Sequence, residues 1–210
     1  MDFAGFPVAA LDFYDDLEVD NTKSFWEAHK GVYAEAVKAP MVALCAALAA
    51  EFGEAKVFRP YRDVRFAKDK TPYKNHQGAF VASGPATGWY VEIAARGLRT
   101  GAGFYDAEPA RLAAIRAAVA QDRTGRALER ILSSLTATGF QIEGDRLKTS
   151  PRGYSADHPR IDLLRHRSLV AMRSYGFEPV IHTPALADSL RADWRALRPL
   201  VEWIGSHVDG

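Results

Sequence analysis

The fold class turns on the stretch Gly78-Ala79-Phe80-Val81-Ala82-Ser83-Gly84-Pro85-Ala86-Thr87-Gly88-Trp89-Tyr90-Val91-Glu92-Ile93-Ala94-Ala95-Arg96-Gly97-Leu98-Arg99-Thr100-Gly101-Ala102-Gly103-Phe104-Tyr105. Three runs rich in β-branched and aromatic residues, Gly78 to Ser83, Trp89 to Ala95 and Leu98 to Tyr105, are separated by Gly84-Pro85-Ala86-Thr87-Gly88 and by Ala95-Arg96-Gly97, which are turn sequences. Connections this short join antiparallel neighbours, because parallel pairing needs a long crossover. With a further strand expected upstream at Val57 to Phe66, the centre of the chain reads as an antiparallel meander. Gly97, Gly101 and Gly103 mark a tightly packed or bulged strand, since no helix follows at the register a phosphate loop needs.

Helical patterns surround the meander. A short helix is expected over Leu11 to Leu17, and Asp20-Asn21-Thr22 offers capping acceptors for a longer one. That helix carries its apolar stripe on Phe25, Trp26, His29, Val32, Tyr33, Ala36 and Val37, at steps of three and four. Pro40 is expected to separate it from a helix with Met41, Leu44, Cys45, Leu48 and Phe52 inward, stopped at Gly53. Downstream, Asp106 caps a helix with Pro109 in its first turn, and Thr124 begins another that stops near Gly139. Phe140 to Ile142 and Leu147 to Thr149 flank Gly144-Asp145 as a hairpin. A strand follows at Leu169 to Phe177. Thr183-Pro184 opens a closing helix with the stripe Leu186, Leu190, Trp194, Leu197, Val201 and Ile204, in which Pro199 should place a kink. The expectation is one α+β domain over residues 1–210, an antiparallel β-meander sheet packed with N-terminal, middle and C-terminal helices.

Composition is that of a globular chain, with 48% hydrophobic and 25% charged residues, so a core is available and disorder is not expected. The apolar run Met41 to Ala50 is interrupted by Glu51 and is about half the length of a bilayer span, so it predicts a buried helix and no membrane partner. The opening Met1-Asp2-Phe3-Ala4-Gly5 has no basic flank or apolar core of a signal peptide, and Cys45 is the single cysteine. A cytoplasmic location is therefore expected. Net charge is +1 but unevenly placed: Arg59 to Lys74 carries six basic residues against two acids, and Arg146 to Arg173 seven against two. That points to a localised positive site.

The segment Phe58 to His76 is where chemistry is expected. If it is extended through Phe66, alternation puts Arg62 on one face with Phe58, Val64 and Phe66, and Arg59, Tyr61, Asp63 and Arg65 on the other. A guanidinium among apolar neighbours needs a carboxylate, a set of carbonyls or an anionic ligand. The Lys68 to Lys74 stretch, with Thr71 and Pro72, reads as a loop whose ammonium groups close over an anion. The plain alternative is an internal Arg–Asp network beside a solvated lysine loop. Further along, Pro151-Arg152-Gly153-Tyr154 forms a turn, and Asp157 is placed to cap a helix starting near Pro159. Between them His158 is a catalytic candidate by its adjacency to Asp157, with Asp63 as the other.

The Arg59 to Lys74 run, the Asn21 to Tyr33 segment containing Phe25-Trp26, and Pro151-Arg152-Gly153-Tyr154 followed by Asp157-His158-Pro159 and Leu163-Leu164-Arg165 together resemble an uncharacterised family, domain of unknown function 2461. The resemblance keeps these motifs in order over nearly the whole chain. Where members have Lys after the proline of the third motif, this chain has Arg152, which keeps the charge. The resemblance implies no reaction, ligand or partner.

No metal or other cofactor is expected: the six histidines include no pair at metal-ligand spacing, and His29 on its apolar stripe reads as a satisfied core histidine. No nucleophile motif is present, and Ser83 and Ser150 have no evident base. The functional expectation is a pocket for a small phosphate- or carboxylate-bearing ligand built from Arg59, Tyr61, Arg62, Arg65, Lys68, Lys70, Tyr73, Lys74, Arg152 and Tyr154, with the question of catalysis open. The alternative is a non-enzymatic module that meets an acidic protein or a nucleic acid through the same basic surface, where Tyr61, Phe66 and Tyr73 would stack on bases.

Overall fold

Two tight hairpins set the architecture. In the computed structural model, which describes residues 2–66 and 68–207, β2 (His76–Gly84), β3 (Thr87–Ala94) and β4 (Gly97–Phe104) are joined by Pro85-Ala86 and Ala95-Arg96 alone. Ala86 holds a positive φ of 57°, so the first turn is made without the glycine that such a backbone prefers. The three strands lie within a six-stranded antiparallel sheet of order β1-β2-β3-β4-β6-β5, completed by β1 (Ala55–Val57), β5 (Gln141–Glu143) and β6 (Leu169–Gly176). The expected meander is thus present, extended on both sides, and the fold is α+β.

The glycines of β4 are needed for close approach. A Cβ on Gly97 would fall 1.6 Å from the carbonyl oxygen of Gly176, and one on Gly101 2.3 Å from Met172 Sδ. Side chains at these positions would push β6 away.

The chain divides into two compact units, each discontinuous in sequence. The first comprises residues 1–81, 90–100 and 174–192. It contains α1 (Ala9–Val19) and the helical run Lys23–Phe52, made of α2 (Lys23–Val32), a π-helical turn (Tyr33–Lys38) and α3 (Ala39–Phe52). Thr22 caps this run by accepting the Phe25 N–H at 3.2 Å. Pro40 does not divide it, contrary to the sequence expectation. A proline breaks a helix because its missing N–H orphans a carbonyl and its ring meets the preceding turn. Here the wider π turn precedes it, with the Ala39 N–H reaching Ala34, so the ladder already changes register at that point. By length and composition this run would suffice to cross a membrane; in the first unit Met41, Leu44, Cys45, Leu48 and Phe52 are buried.

The second unit comprises residues 82–89, 101–173 and 193–210, and holds α4 (Pro109–Ala120), α5 (Asp122–Ala137) and the short α6 (Ile161–Leu164). Residues of α7 (Leu186–Gly205) belong to both units; its expected stripe is buried throughout, and the helix is continuous through Pro199. Three local expectations fail in the second unit. Glu108, not Asp106, occupies the N-cap of α4, and its side chain makes no capping bond. The fifth helix begins at Asp122, ahead of Thr124, whose hydroxyl instead donates to the Ala118 carbonyl. Gly144-Asp145 does not close a hairpin: β5 pairs antiparallel with β6, Ile142 opposite Ala171, and Leu147 donates its N–H to Arg165 at 2.8 Å. The local pattern locates β5, but its partner lies beyond a helix and is out of reach of local reading.

Candidate functional site

The expected strand Val57 to Phe66 ends at Val57. Beyond it the chain forms a loop pinched at its base, where Tyr61 and Tyr73 bridge, Arg62 N–H donates to Pro72 O at 2.9 Å and Lys74 N–H to Pro60 O at 2.8 Å. Two prolines and six intervening charges leave too few apolar residues to hold a sheet face, so the alternation argument fails: Phe66 is 97% exposed. The loop is held instead by the Asn21 to Tyr33 segment. Asn21 bonds both the N–H and the C=O of Tyr73 at 3.1 Å, and Trp26 stacks on the Tyr73 ring at 4.3 Å between centroids. Beside it Tyr33 O–H donates to Gln77 Oε1 at 2.5 Å, and Gln77 Nε2 donates to the carbonyls of Phe58 and Gly78. Two of the three sequence motifs therefore meet, the first as scaffold for the second.

Within the loop the charges mostly satisfy one another. Arg62 is half-buried and pairs with Asp69 and Thr71. The Thr71 backbone N–H, with Arg62 and the Thr71 hydroxyl, holds the Asp69 carboxyl down at about 2. Arg65 and Asp63 form a two-point pair at 2.6 and 3.0 Å, and Lys70 Nζ donates to Val64 O at 2.9 Å. Arg62 thus has a protein carboxylate as its partner, where the sequence suggested an exchangeable anion. Asp63 is engaged by Arg65, whose hydrogen bonds hold its carboxyl below the ordinary value. Lys68 and Tyr61 are exposed, and Tyr73 is buried in the aromatic layer.

A second group of side chains lies on the half-exposed face of the sheet beside this loop. Lys56 and Lys74 place their amines 6.0 and 5.2 Å from the centre of the Phe58 ring. Partial burial, then the charges of Arg59 and Lys56, push the Lys74 amine below its ordinary value, so the three cations repel one another. None of the three forms an ion pair among the described residues, and Asp63, already paired with Arg65, feels the Arg59 charge only weakly. Next to them, on alternate positions of β2 and β3, stand His76, Tyr90 and Glu92. Tyr90 O–H donates to Glu92 Oε2 at 2.7 Å, with its ring laid over Gly78, where a Cβ would come within 2.5 Å of the phenol oxygen. Arg99 Nη1 and His76 Nε2 stand 3.8 and 3.9 Å from the Glu92 carboxylate. Burial, with the Lys74 charge adding and Glu92 opposing, depresses the His76 imidazole. Burial, then Glu92, raises the Tyr90 phenol strongly.

Sequence reasoning found Arg59 and Lys74 but missed Lys56, Phe58, His76, Tyr90, Glu92 and Arg99 as members of one group. The signal available was the period of two: His76 in β2, and Tyr90 and Glu92 in β3, stand at the positions that alternate with buried Gln77, Ala79, Val91 and Ile93.

Arg152 and Tyr154 belong to the second unit. Arg152 is exposed, and Tyr154 lies edge-on to His158 at 6.4 Å. Asp157 does not cap α6; its own N–H is taken by the Ser155 hydroxyl. No side chain caps that helix; His158 Nδ1 receives the backbone N–H of Arg160 at 3.1 Å and so closes the turn ahead of it. Arg160, passed over in the sequence, is nearly sealed: it donates to Val119 O and Ala120 O at the end of α4 and to Asp122 at 2.8 Å.

Among the described residues no three His, Cys, Asp or Glu side chains converge as metal ligands. None of the curated proteins matches the chain. A family model described as a conserved hypothetical protein (DUF2461) matches residues 9–203, nearly the full length, and the chain belongs to that family.

Proposed function

We propose that the face formed by Lys56, Phe58, Arg59 and Lys74 binds a small phosphate- or carboxylate-bearing ligand. The observation that carries this reading is the contrast within one segment: Arg62 and Arg65 each have a carboxylate of their own, whereas Lys56 and Lys74 gather at the Phe58 ring, with the Arg59 charge felt at Lys74, and none of these three forms an ion pair among the described residues. Mutually repelling cations held by a rigid scaffold are stabilised by an anion, and a guanidinium beside ammonium groups suits a multi-oxygen acceptor. A ligand at a hundred times its dissociation constant would stabilise the fold by about 2.7 kcal/mol. A thermal-shift screen of phosphorylated and carboxylated metabolites should reveal one or a narrow set that raises the melting temperature. Lys74→Ala should abolish that rise and Arg62→Met should retain it; the opposite pattern would move the site into the loop.

The fully exposed Phe66, beside Arg65 and Lys68, favours a second reading, in which the loop docks on an acidic protein or a nucleic acid. Oligonucleotide affinity would then fall steeply with salt and depend on Phe66. Length-dependent oligonucleotide binding, lost in Phe66→Ala, with no response to any small anion, would establish that reading in place of the first.

A further inference from the structure

The three unpaired cations have a fourth neighbour whose charge is conditional. We propose that the ligand of this face is a doubly charged oxyanion of the phosphomonoester class, and that His76 binds it as an imidazolium, taking a proton from solvent as the ligand arrives. This rests on the anion-site reading above and deepens it.

Unused hydrogen-bonding capacity singles out this imidazole. His76 is half-exposed, and among the described residues neither of its ring nitrogens has a hydrogen-bond partner. The 3.9 Å to Glu92 is beyond hydrogen-bond range, and Glu92 already accepts from the Tyr90 hydroxyl and faces Arg99. The groups that face His76 are Glu92 and Tyr90 of β3, Arg99 of β4 through Glu92, and Lys74 on its own segment, with Lys56 and Arg59 beyond Lys74. Burial favours the neutral imidazole while the site is empty, with Lys74 adding to it and Glu92 opposing it. A dianion beside the ring brings two negative charges and favours the protonated form, which then offers the ligand a charged donor. A carboxylate monoanion brings half that charge and draws the proton correspondingly less. His76 therefore selects by ligand charge.

Sulfate is a suitable probe, because it is doubly charged and does not titrate near neutrality. Calorimetry in two buffers of different ionisation enthalpy, at about pH 7.5, should show net proton uptake on sulfate binding. Affinity should rise as pH falls from about 8.5 to about 6.5, by up to about tenfold per pH unit, the limit for one linked proton. Acetate should bind roughly tenfold more weakly at the low end, and phenyl phosphate at least as tightly as sulfate at about pH 7.5. His76→Gln should bind sulfate as the wild type does at high pH, with no pH slope and no proton uptake. Glu92→Gln, which removes the carboxylate that supports the imidazolium, should keep the slope and move it to lower pH. Thermal melts verify that both variants fold. Sulfate binding that is flat with pH, or proton uptake that survives His76→Gln, would overturn the role of His76 and leave the anion site standing. Absence of binding by all three anions would overturn both.

Discussion

Arg160 shows how a buried charge can be entirely structural. Its guanidinium closes the end of α4 by donating to the Val119 and Ala120 carbonyls, and it reaches Asp122 at the start of α5. Gly125 makes room for it, since a Cβ there would fall 2.4 Å from Arg160 Nε. Arg160→Met should cost roughly 2–4 kcal/mol in urea unfolding, because buried carbonyls left without a donor cost about 1–3 kcal/mol each. Arg160→Lys should recover less than half of that, since one ammonium cannot serve the same diverging acceptors. In the sequence this residue is one of seven basic residues in a positive stretch, and nothing local distinguishes it from Arg152, which is exposed. The partner of Arg62 is hidden for a related reason. Asp69 lies seven residues away on the returning arm of the loop, so alternation cannot bring it near; the loop's closure at Tyr61 and Tyr73 does.

Among the elements, those with strong periodicity were legible. The three meander strands, the closing helix stripe and the Thr22 cap stand within a few residues of where the pattern places them, because their side-chain period matches the geometry of a buried face. Elements defined by tertiary contact were not legible. β5 finds its partner in β6, and the continuity of Lys23–Phe52 across Pro40 depends on a π turn that no composition rule announces. Near the end of α2 stands Gly31, where an added Cβ would meet nothing within 4 Å and where φ lies outside the left-handed region. Gly31→Ala should therefore stabilise the protein by about 0.5–1 kcal/mol, through reduced freedom of the unfolded chain, as a shift in the urea midpoint with an unchanged slope.

For the molecule as a whole, acid should act in two windows. Burial, helped by Arg146, depresses His166, whose Nδ1 sits 2.8 Å from the Ser168 carbonyl. A base with its folded value lowered leaves the unfolded chain binding more protons, so its stability contribution is complete above about pH 6.5 and is lost as pH falls. The melting temperature should be level from about pH 8 to 7 and decline from about 6.5 to 5, with a smaller decline in His166→Gln. Asp69 should respond separately: its ion pair is complete above the ordinary carboxylate value and is lost as pH falls toward about 2, which carboxyl NMR titration would follow. The site was half legible at this scale. Charge counting found the basic segment, but only the sheet places Lys56, His76 and Glu92 beside it. The single thiol gives this molecule an internal reporter: Cys45 is buried in α3, and burial, with Glu54 adding, lifts it to about 11. A thiol-reactive dye would therefore wait for that helix to open, and its rate of attachment would clock the transient exposure of the first unit's interior.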